Sequence, residues 1–231
     1  RNREEGLRVP TFKWEINQIR HAVAIHGRIT QRRVTWDVWK QSLNQLGRYW
    51  PAVLNSAAML HLAGVPYDVS TASEWYHKGN SLGHTFSNVP VAPDTSHIIR
   101  INQTTDELVG GDPSAILDIN IGSRLKAMAK TLSIPIRPAL IHDQELYVLF
   151  VHPYQVNHLK QNSRWMARMR DTLKGGAING NPLWTGALGI DDGVLWVESP
   201  YIYPGVNSST NARVTNARRA VFCGAQALVI G

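Results

Sequence analysis

The sequence predicts an α+β fold, because its helical and strand patterns are mixed without a regular βαβ alternation. A stripe of apolar side chains recurs at spacings of three and four between residues 36 and 60, which is typical of a long amphipathic helix. The apolar run Leu146–Val151 is typical of a buried strand. With 231 residues, 43% hydrophobic and 18% charged, the chain is long enough to bury a core and is not typical of a disordered protein.

The long helix is predicted to run from Thr35, as its N-cap, to Leu62. Gly64 is a natural stop signal, and Pro51 predicts a kink because it removes one backbone hydrogen bond. We interpret this helix as a structural spine whose apolar stripe forms core. The residues that lead this stripe are Trp36, Trp39, Leu43, Leu46 and Trp50.

The segments around the spine helix have their own patterns. Residues 11–30 alternate imperfectly between apolar and polar side chains, which predicts one long extended strand. Residues 65–112 are rich in turn-forming residues and predict a long ordered loop, with a short strand at His97–Ile101. A second helix is predicted to start at Asp112-Pro113 and to end before Pro135.

Short elements follow in the second half. They are the strand Leu146–Val151, a helix over Pro153–Lys160, a helix marked by Trp165 to Leu173, the strands Val194–Val197 and Tyr201–Tyr203, a turn at Asp191-Asp192-Gly193 between two strands, and a last strand over Ala220–Ile230.

The net charge of +7 is concentrated near the start of the chain. Residues 1–33 hold eight basic and three acidic side chains, a net +5. Arginine pairs with carboxylates as readily as with phosphates, so this segment suits either a neighbouring subunit or nucleic acid. No helix-turn-helix, zinc-finger or ribonucleoprotein motif accompanies it, so sequence-specific nucleic-acid binding is the weaker interpretation. The candidate inter-subunit contacts are Arg20, Arg28, Arg32 and Arg33.

Catalytic and metal motifs are weak. Ser81 lies in a Gly79–Gly83 segment that matches the G-x-S-x-G hydrolase pattern, but no buried strand precedes it and no helix follows. The single Cys223 excludes an intramolecular disulfide framework. We therefore predict no catalytic residue, no cofactor and no metal ligand. A zinc site formed by His77, His84, Asp94 and His97 is the weaker interpretation of these residues.

No apolar run is long enough to span a membrane, and no basic-then-apolar signal segment opens the chain. The chain begins at Arg1 rather than Met, and it ends at Gly231 directly after an apolar run. We expect the natural protein to extend at one or both ends.

Several stretches together resemble the N-four-type family of tailed-bacteriophage major capsid proteins. In the first half these are Ile16-Asn-Gln-Ile-Arg-His-Ala-Val23, Gly27-Arg-Ile-Thr-Gln-Arg-Arg-Val34 and the long helix ending His61-Leu-Ala-Gly64. In the second half they are Tyr147-Val-Leu-Phe-Val-His-Pro-Tyr-Gln155, Asn181-Pro-Leu-Trp-Thr-Gly-Ala-Leu-Gly189 and Ala220-Val-Phe-Cys-Gly-Ala-Gln226. The resemblance is weakest over residues 65–112, and Pro51 departs from the pattern.

This resemblance implies the Hong Kong 97-type capsid fold. Residues 1–33 would then be the returning strand of an extended loop, and residues 34–139 a peripheral domain with the spine helix. Residues 140–222 would be the axial domain, and residues 223–231 a C-terminal strand.

The resemblance also implies a structural protein without enzymatic activity. It would assemble with copies of itself, as hexamers and pentamers, into an icosahedral shell around double-stranded DNA, with decoration, scaffold or portal proteins as further partners and no membrane. Its location would be the virion, after assembly in the host bacterial cytoplasm. The alternatives are a serine hydrolase that uses Ser81 and a basic nucleic-acid-binding module.

Overall fold

The long helix, α1, spans Val38–Ala63 and confirms the strongest pattern in the sequence. The computed structural model describes residues 15–16, 22–24, 33, 35–65, 88, 90–141, 144–167, 187–210 and 212–228. The N-cap is Asp37 rather than Thr35: its carboxylate accepts the N–H groups of Trp39 at 3.0 Å and Lys40 at 3.2 Å. A charged carboxylate also interacts favourably with the positive end of the helix dipole, so Asp37 takes the position.

Gly64 ends α1 in the left-handed conformation, with φ of 58°, as the sequence predicted. Its N–H and that of Val65 bond back to carbonyls of the last turn. The chain packs tightly there, because a Cβ on Gly64 would lie 2.5 Å from the carbonyl oxygen of Val91 and 2.6 Å from Cδ of Pro93. Two independent constraints therefore require glycine at this position.

We expect Gly64→Ala to lower the free energy of unfolding by more than the roughly 1–2 kcal/mol that the left-handed conformation alone costs. Gly47→Ala is the matched control, because Gly47 lies inside α1 with nothing within 4 Å of an added Cβ. That change should stabilise the protein by about 0.5–1 kcal/mol. Urea denaturation measures both. Equal midpoints for Gly64→Ala and the wild type would contradict the packing described.

The remaining helices are short. They are α2 (Asp106–Gly111), α3 (Asn120–Thr131) and α4 (Pro153–Gln161), with a 3-10 turn at Thr95–His97. Residues 163–167 are also helical, within the region predicted from Trp165. The helix α4 confirms its prediction, and His152 caps it with a reciprocal bond to Gln155. The predicted strand at His97–Ile101 is wrong, since no strand occupies it.

The second predicted helix, now α3, begins at Asn120 and not at Asp112-Pro113. The carboxylate of Asp112 instead accepts the N–H of Ser114 at 2.8 Å and the amide of Gln103 at 2.7 Å, which holds a local turn. Asp118 accepts the N–H of Ile119 at 2.7 Å just before the helix. Both aspartates suit a helix start by type, but Asp112 holds the local turn and the helix begins only after Asp118.

The main sheet contains β1 (Ala139–Ile141), β2 (Gln144–Val151), β3 (Ala187–Asp191), β4 (Val194–Glu198) and β7 (Val221–Cys223). The strand β2 is central: it pairs antiparallel with β1 and β7 and parallel with β4. The turn at 192–193 joins β3 to β4, as predicted. A separate ribbon pairs β5 (Pro204–Val206) with β6 (Arg213–Arg218). This arrangement confirms the predicted mixture of helices and strands.

Two predicted strands are displaced in the structure. Residues 201–203 form no strand, and the strand begins one residue later as β5. The final strand is limited to Val221–Cys223 rather than reaching Ile230, because a turn follows over residues 225–227. The strand β6 was not predicted, since its polar sequence Arg-Val-Thr-Asn-Ala-Arg carries little apolar alternation.

The strand β2 lies between two apolar clusters. Tyr147, Leu149 and Val151 are fully buried against α3, α4 and Trp196, which itself packs edge-to-face on Trp165 at 5.4 Å. On the opposite face of the strand, Phe150 packs on a second cluster formed by the end of α1 and the segment that includes β5 and β7. The sheet thereby fixes α1 to the rest of the chain at its C-terminal end.

Candidate inter-subunit surface

The first half of α1 lies on the surface of the single chain. Trp39 is 65% exposed and Leu43 52%, and Trp36, two residues before α1 begins, is 62% exposed, whereas Leu46 and Trp50 are half-buried. The prediction that this stripe forms core is therefore wrong for Trp36, Trp39 and Leu43 within one chain. The buried residues of α1 are Val53, Ser56, Leu60 and Ala63, all in its second half. Periodicity places side chains on one face but does not say which part of that face has a neighbour.

Few charges accompany this exposed apolar face. Of the 26 residues of α1, only Lys40 and Arg48 carry a formal charge, and no residue is acidic. Depletion of charge and enrichment of large aromatic side chains are typical of the centre of a protein interface. We name Trp36, Trp39 and Leu43 the α1 patch.

The α1 helix is anchored at its other half by an ionic cluster around Asp106. That carboxylate is 11% exposed and accepts Nε of Arg100 at 2.8 Å, Nη2 of Arg219 at 3.1 Å and the N–H of Val206 at 2.9 Å. Nη1 of Arg219 donates to the carbonyl of Ala63 at 3.2 Å, in the last turn of α1. One carboxylate thus links α1, α2 and β5.

The cluster holds Asp106 ionised. Burial by itself would raise the pKa of this carboxyl, but the hydrogen bonds from Val206, Arg100 and Arg219 outweigh burial and hold the pKa below its usual range. The cluster as a whole has no local sequence signature. The helix-start pattern of Thr105 followed by Asp106 and Glu107 could have located α2, but nothing local points to Arg219, 113 residues away.

Two further contacts fix α1 to other segments. The hydroxyl of Tyr203 donates to the carbonyl of Ser56 at 3.2 Å. The side chain of Asn88 makes two hydrogen bonds with the backbone of Glu15, at 3.1 and 2.9 Å, while its carbonyl lies 3.0 Å from Nε2 of His61. A point in the segment 1–33 is thus tied to α1 through Asn88.

The arginines predicted to contact neighbours are mostly not described. Arg20, Arg28 and Arg32 lie outside the described residues, and so does most of the predicted strand over 11–30. Arg33 is described and exposed, five residues before α1 begins.

The residues considered for catalysis or metal binding lie mostly outside the described ranges. Ser81 lies outside them, as do His77 and His84. No three His, Cys, Asp or Glu side chains of the described residues are placed to hold a metal ion. Burial raises the pKa of the Cys223 thiol to about 11, which keeps it protonated and a poor nucleophile at neutral pH. None of the helices described is long and apolar enough to cross a membrane.

Comparison with solved structures shows a capsid fold. The structure is similar to the capsid of Ralstonia phage GP4, with a TM-score of 0.63 and 16% identity, over 88% of this chain and 56% of that chain. It is also similar to the Cyanophage Pam1 capsid asymmetric unit, with a TM-score of 0.51 and 15% identity, over 84% of this chain and 65% of that chain.

Sequence comparison points the same way. The chain is 29% identical to the major capsid protein of Pseudomonas phage KPP25 over 249 aligned residues, which cover 97% of this chain. The chain spans 62% of the length of that relative. The family model for phage capsid protein matches residues 2–231. Since that match extends over nearly the whole sequence, the chain belongs to the phage capsid protein family.

Proposed function

We propose that this chain is a structural subunit of a tailed-phage head shell and has no enzymatic activity. The observation that carries the proposal is the α1 patch: two large aromatic side chains, 62% and 65% exposed, one just before and one on a helix with only two formally charged residues. In an isolated subunit such a surface favours association, and a shell that packs many copies side by side would cover it. Family membership supports this choice of partner.

The finer architecture is part of the same proposal. Residues 1–33 would form an extended loop, 34–139 a peripheral domain on α1, 140–222 an axial domain on the main sheet, and 223–231 a C-terminal strand, in the Hong Kong 97-type arrangement. The β5–β6 ribbon lies within 140–222 and contacts α1 and α2, in part through Asp106, so we propose that it forms a contact between the axial and peripheral domains.

The proposed assembly follows from this architecture. Copies would form hexamers and pentamers of an icosahedral shell that encloses double-stranded DNA without reading its sequence. Decoration, scaffold or portal proteins would be further partners. Shells would assemble in the host bacterial cytoplasm and remain in the virion.

Negative-stain microscopy and light scattering of the purified protein test the proposal. We expect large, regular particles or capsomers. A uniform small particle with the α1 patch still exposed to solvent would overturn it. A serine-directed phosphonate tests the hydrolase alternative, because stoichiometric labelling at Ser81 would favour an enzyme.

The basic segment provides a second contact in this proposal. Arg28, Arg32 and Arg33 lie together in a segment with a net charge of +5, which suits carboxylates on a neighbouring copy. Each exposed pair is worth only about 0–1 kcal/mol, so single changes should have little effect. Changing all three to Glu should block assembly through like-charge repulsion while the circular dichroism spectrum stays unchanged. The same three changed to Lys should still assemble. Normal shells from the Glu variant would show that this segment does not form the subunit contact.

A further inference from the structure

Arg218, the last residue of β6, is a half-buried cation that pairs with no acidic side chain among the described residues. Its Nη1 donates to the carbonyls of Thr215 at 3.2 Å and Ala217 at 3.3 Å, both on its own strand. Its Nε is buried without an acceptor. Within the described part of the chain, no carboxylate lies at ion-pair distance from this guanidinium. Arginines that are this buried are normally paired.

The adjacent arginine, Arg219, is paired within the subunit. Arg219 bonds to Asp106 at 3.1 Å and to the carbonyl of Ala63 at 3.2 Å, and so holds the subunit together. Over the described ranges, the guanidinium of Arg218 makes no comparable contact with another element. Its backbone carbonyl accepts from Nε2 of Gln155 at 3.0 Å, which fixes the end of β6 against α4. The fold thus holds the Arg218 side chain in place, but among the described residues its guanidinium bonds only to its own strand.

A second arginine and a tyrosine are near enough to interact electrostatically with Arg218. Burial first, and then the positive charge of Arg213, lower the pKa of Arg218, while Tyr154 acts in the opposite direction. Tyr154 is 66% exposed and packs on His152 with ring centroids 5.0 Å apart. Arg213 is exposed on the same strand. We name Arg213, Arg218 and Tyr154 the arginine patch.

We propose that the arginine patch binds a carboxylate side chain presented by a second copy of this chain. A carboxylate can accept a charge-assisted hydrogen bond from a guanidinium, and its negative charge would offset the positive charge of the two arginines. Duplex DNA is the less suitable anion, because non-specific binding uses several exposed, mobile basic side chains along the backbone. Here one of the two arginines is half-buried with Nη1 already engaged. This inference rests on the proposed shell function.

Charge reversal tests the patch. Arg218→Glu should reduce the fraction of subunits in particles roughly tenfold or more at fixed concentration and salt, measured by sedimentation velocity. Arg124→Glu is the matched control: Arg124 is exposed on α3, and the change in net charge is the same. Circular dichroism reports whether each variant folds. Particles from wild type and Arg124→Glu but not from Arg218→Glu support the proposal. Equal yields from all three overturn it, whereas no particles even from the wild type overturn the shell function instead.

A cross-linking experiment identifies the group that binds the arginine patch. It does not depend on whether the Arg218→Glu variant folds. A benzoylphenylalanine placed at Tyr154 in the otherwise native protein is irradiated within assembled particles, and cross-linked peptides are sequenced by mass spectrometry. We expect a dimer cross-link to a peptide that contains Asp or Glu from a second copy. A cross-link to packaged DNA, or to a peptide without an acidic residue, contradicts the proposal.

Discussion

Changing Trp36 and Trp39 together to Ser is expected to abolish particle formation while leaving the stability of the subunit nearly unchanged. Both side chains are more than 60% exposed in the single chain, so the free energy of unfolding should shift by no more than about 0.5 kcal/mol. At a subunit contact the same rings would be buried. Truncating a buried aromatic anchor commonly costs about 2 kcal/mol or more of binding free energy. Each loss of about 1.4 kcal/mol raises the dissociation constant about tenfold. A contact repeated by symmetry multiplies that loss.

The matched control is the double change of Trp36 and Trp39 to Phe, which keeps an apolar aromatic surface and should preserve most assembly. Light scattering measures particle formation, and thermal denaturation of the unassembled subunit measures Tm. A large fall in Tm for the Ser variant would show that the α1 patch is core after all. Normal particles from that variant would show that the patch does not form a subunit contact.

Removing the carboxylate of Asp106 is expected to be the most destabilising single change in the ionic cluster. Asp106→Ala should lower the free energy of unfolding by about 3–5 kcal/mol, because it leaves Arg100, Arg219 and the N–H of Val206 without their shared partner. The connection between α2 and the end of α1 would be lost with it. Chemical denaturation measures the change. Asp94→Asn is the control: Asp94 is exposed and bonds locally to Thr95 and Ser96, so its loss should have little effect.

The same cluster predicts a pH dependence with a definite sign. The folded pKa of Asp106 lies below its unfolded value, which is near 3.8, so the folded state binds fewer protons than the unfolded state in that range. The stabilisation is therefore complete above the unfolded pKa and is lost as the pH falls through the folded pKa. Asp106→Asn, which cannot titrate, should flatten the fall in Tm below pH 4. An unchanged acid slope would contradict the assignment.

The sequence by itself determined the elements whose signal is local. The helix α1, the strand β2, the helix α4 and the turn between β3 and β4 were all predicted near their observed positions. Each has a period, a cap or a turn residue within a few positions along the chain. The family resemblance was also local, because it depended on short matching stretches.

The tertiary structure decided which half of α1 is buried, where α3 begins, and that β6 forms at all. These outcomes depend on partners outside the segment itself, which range from Gln103, 9 residues before Asp112, to Tyr203, 147 residues after Ser56. Leu60 is buried because it packs in a cluster with residues from Ile202 onwards, whereas Trp39 belongs to neither apolar cluster of the described residues and is 65% exposed. The sequence pattern shows that a side chain is apolar and on which helix face it lies. Whether that side chain is buried depends on another segment packing against it. Asp106 likewise became a buried anchor only when folding brought Arg219 to within 3.1 Å, since charge pairing acts over distance in space and not along the sequence.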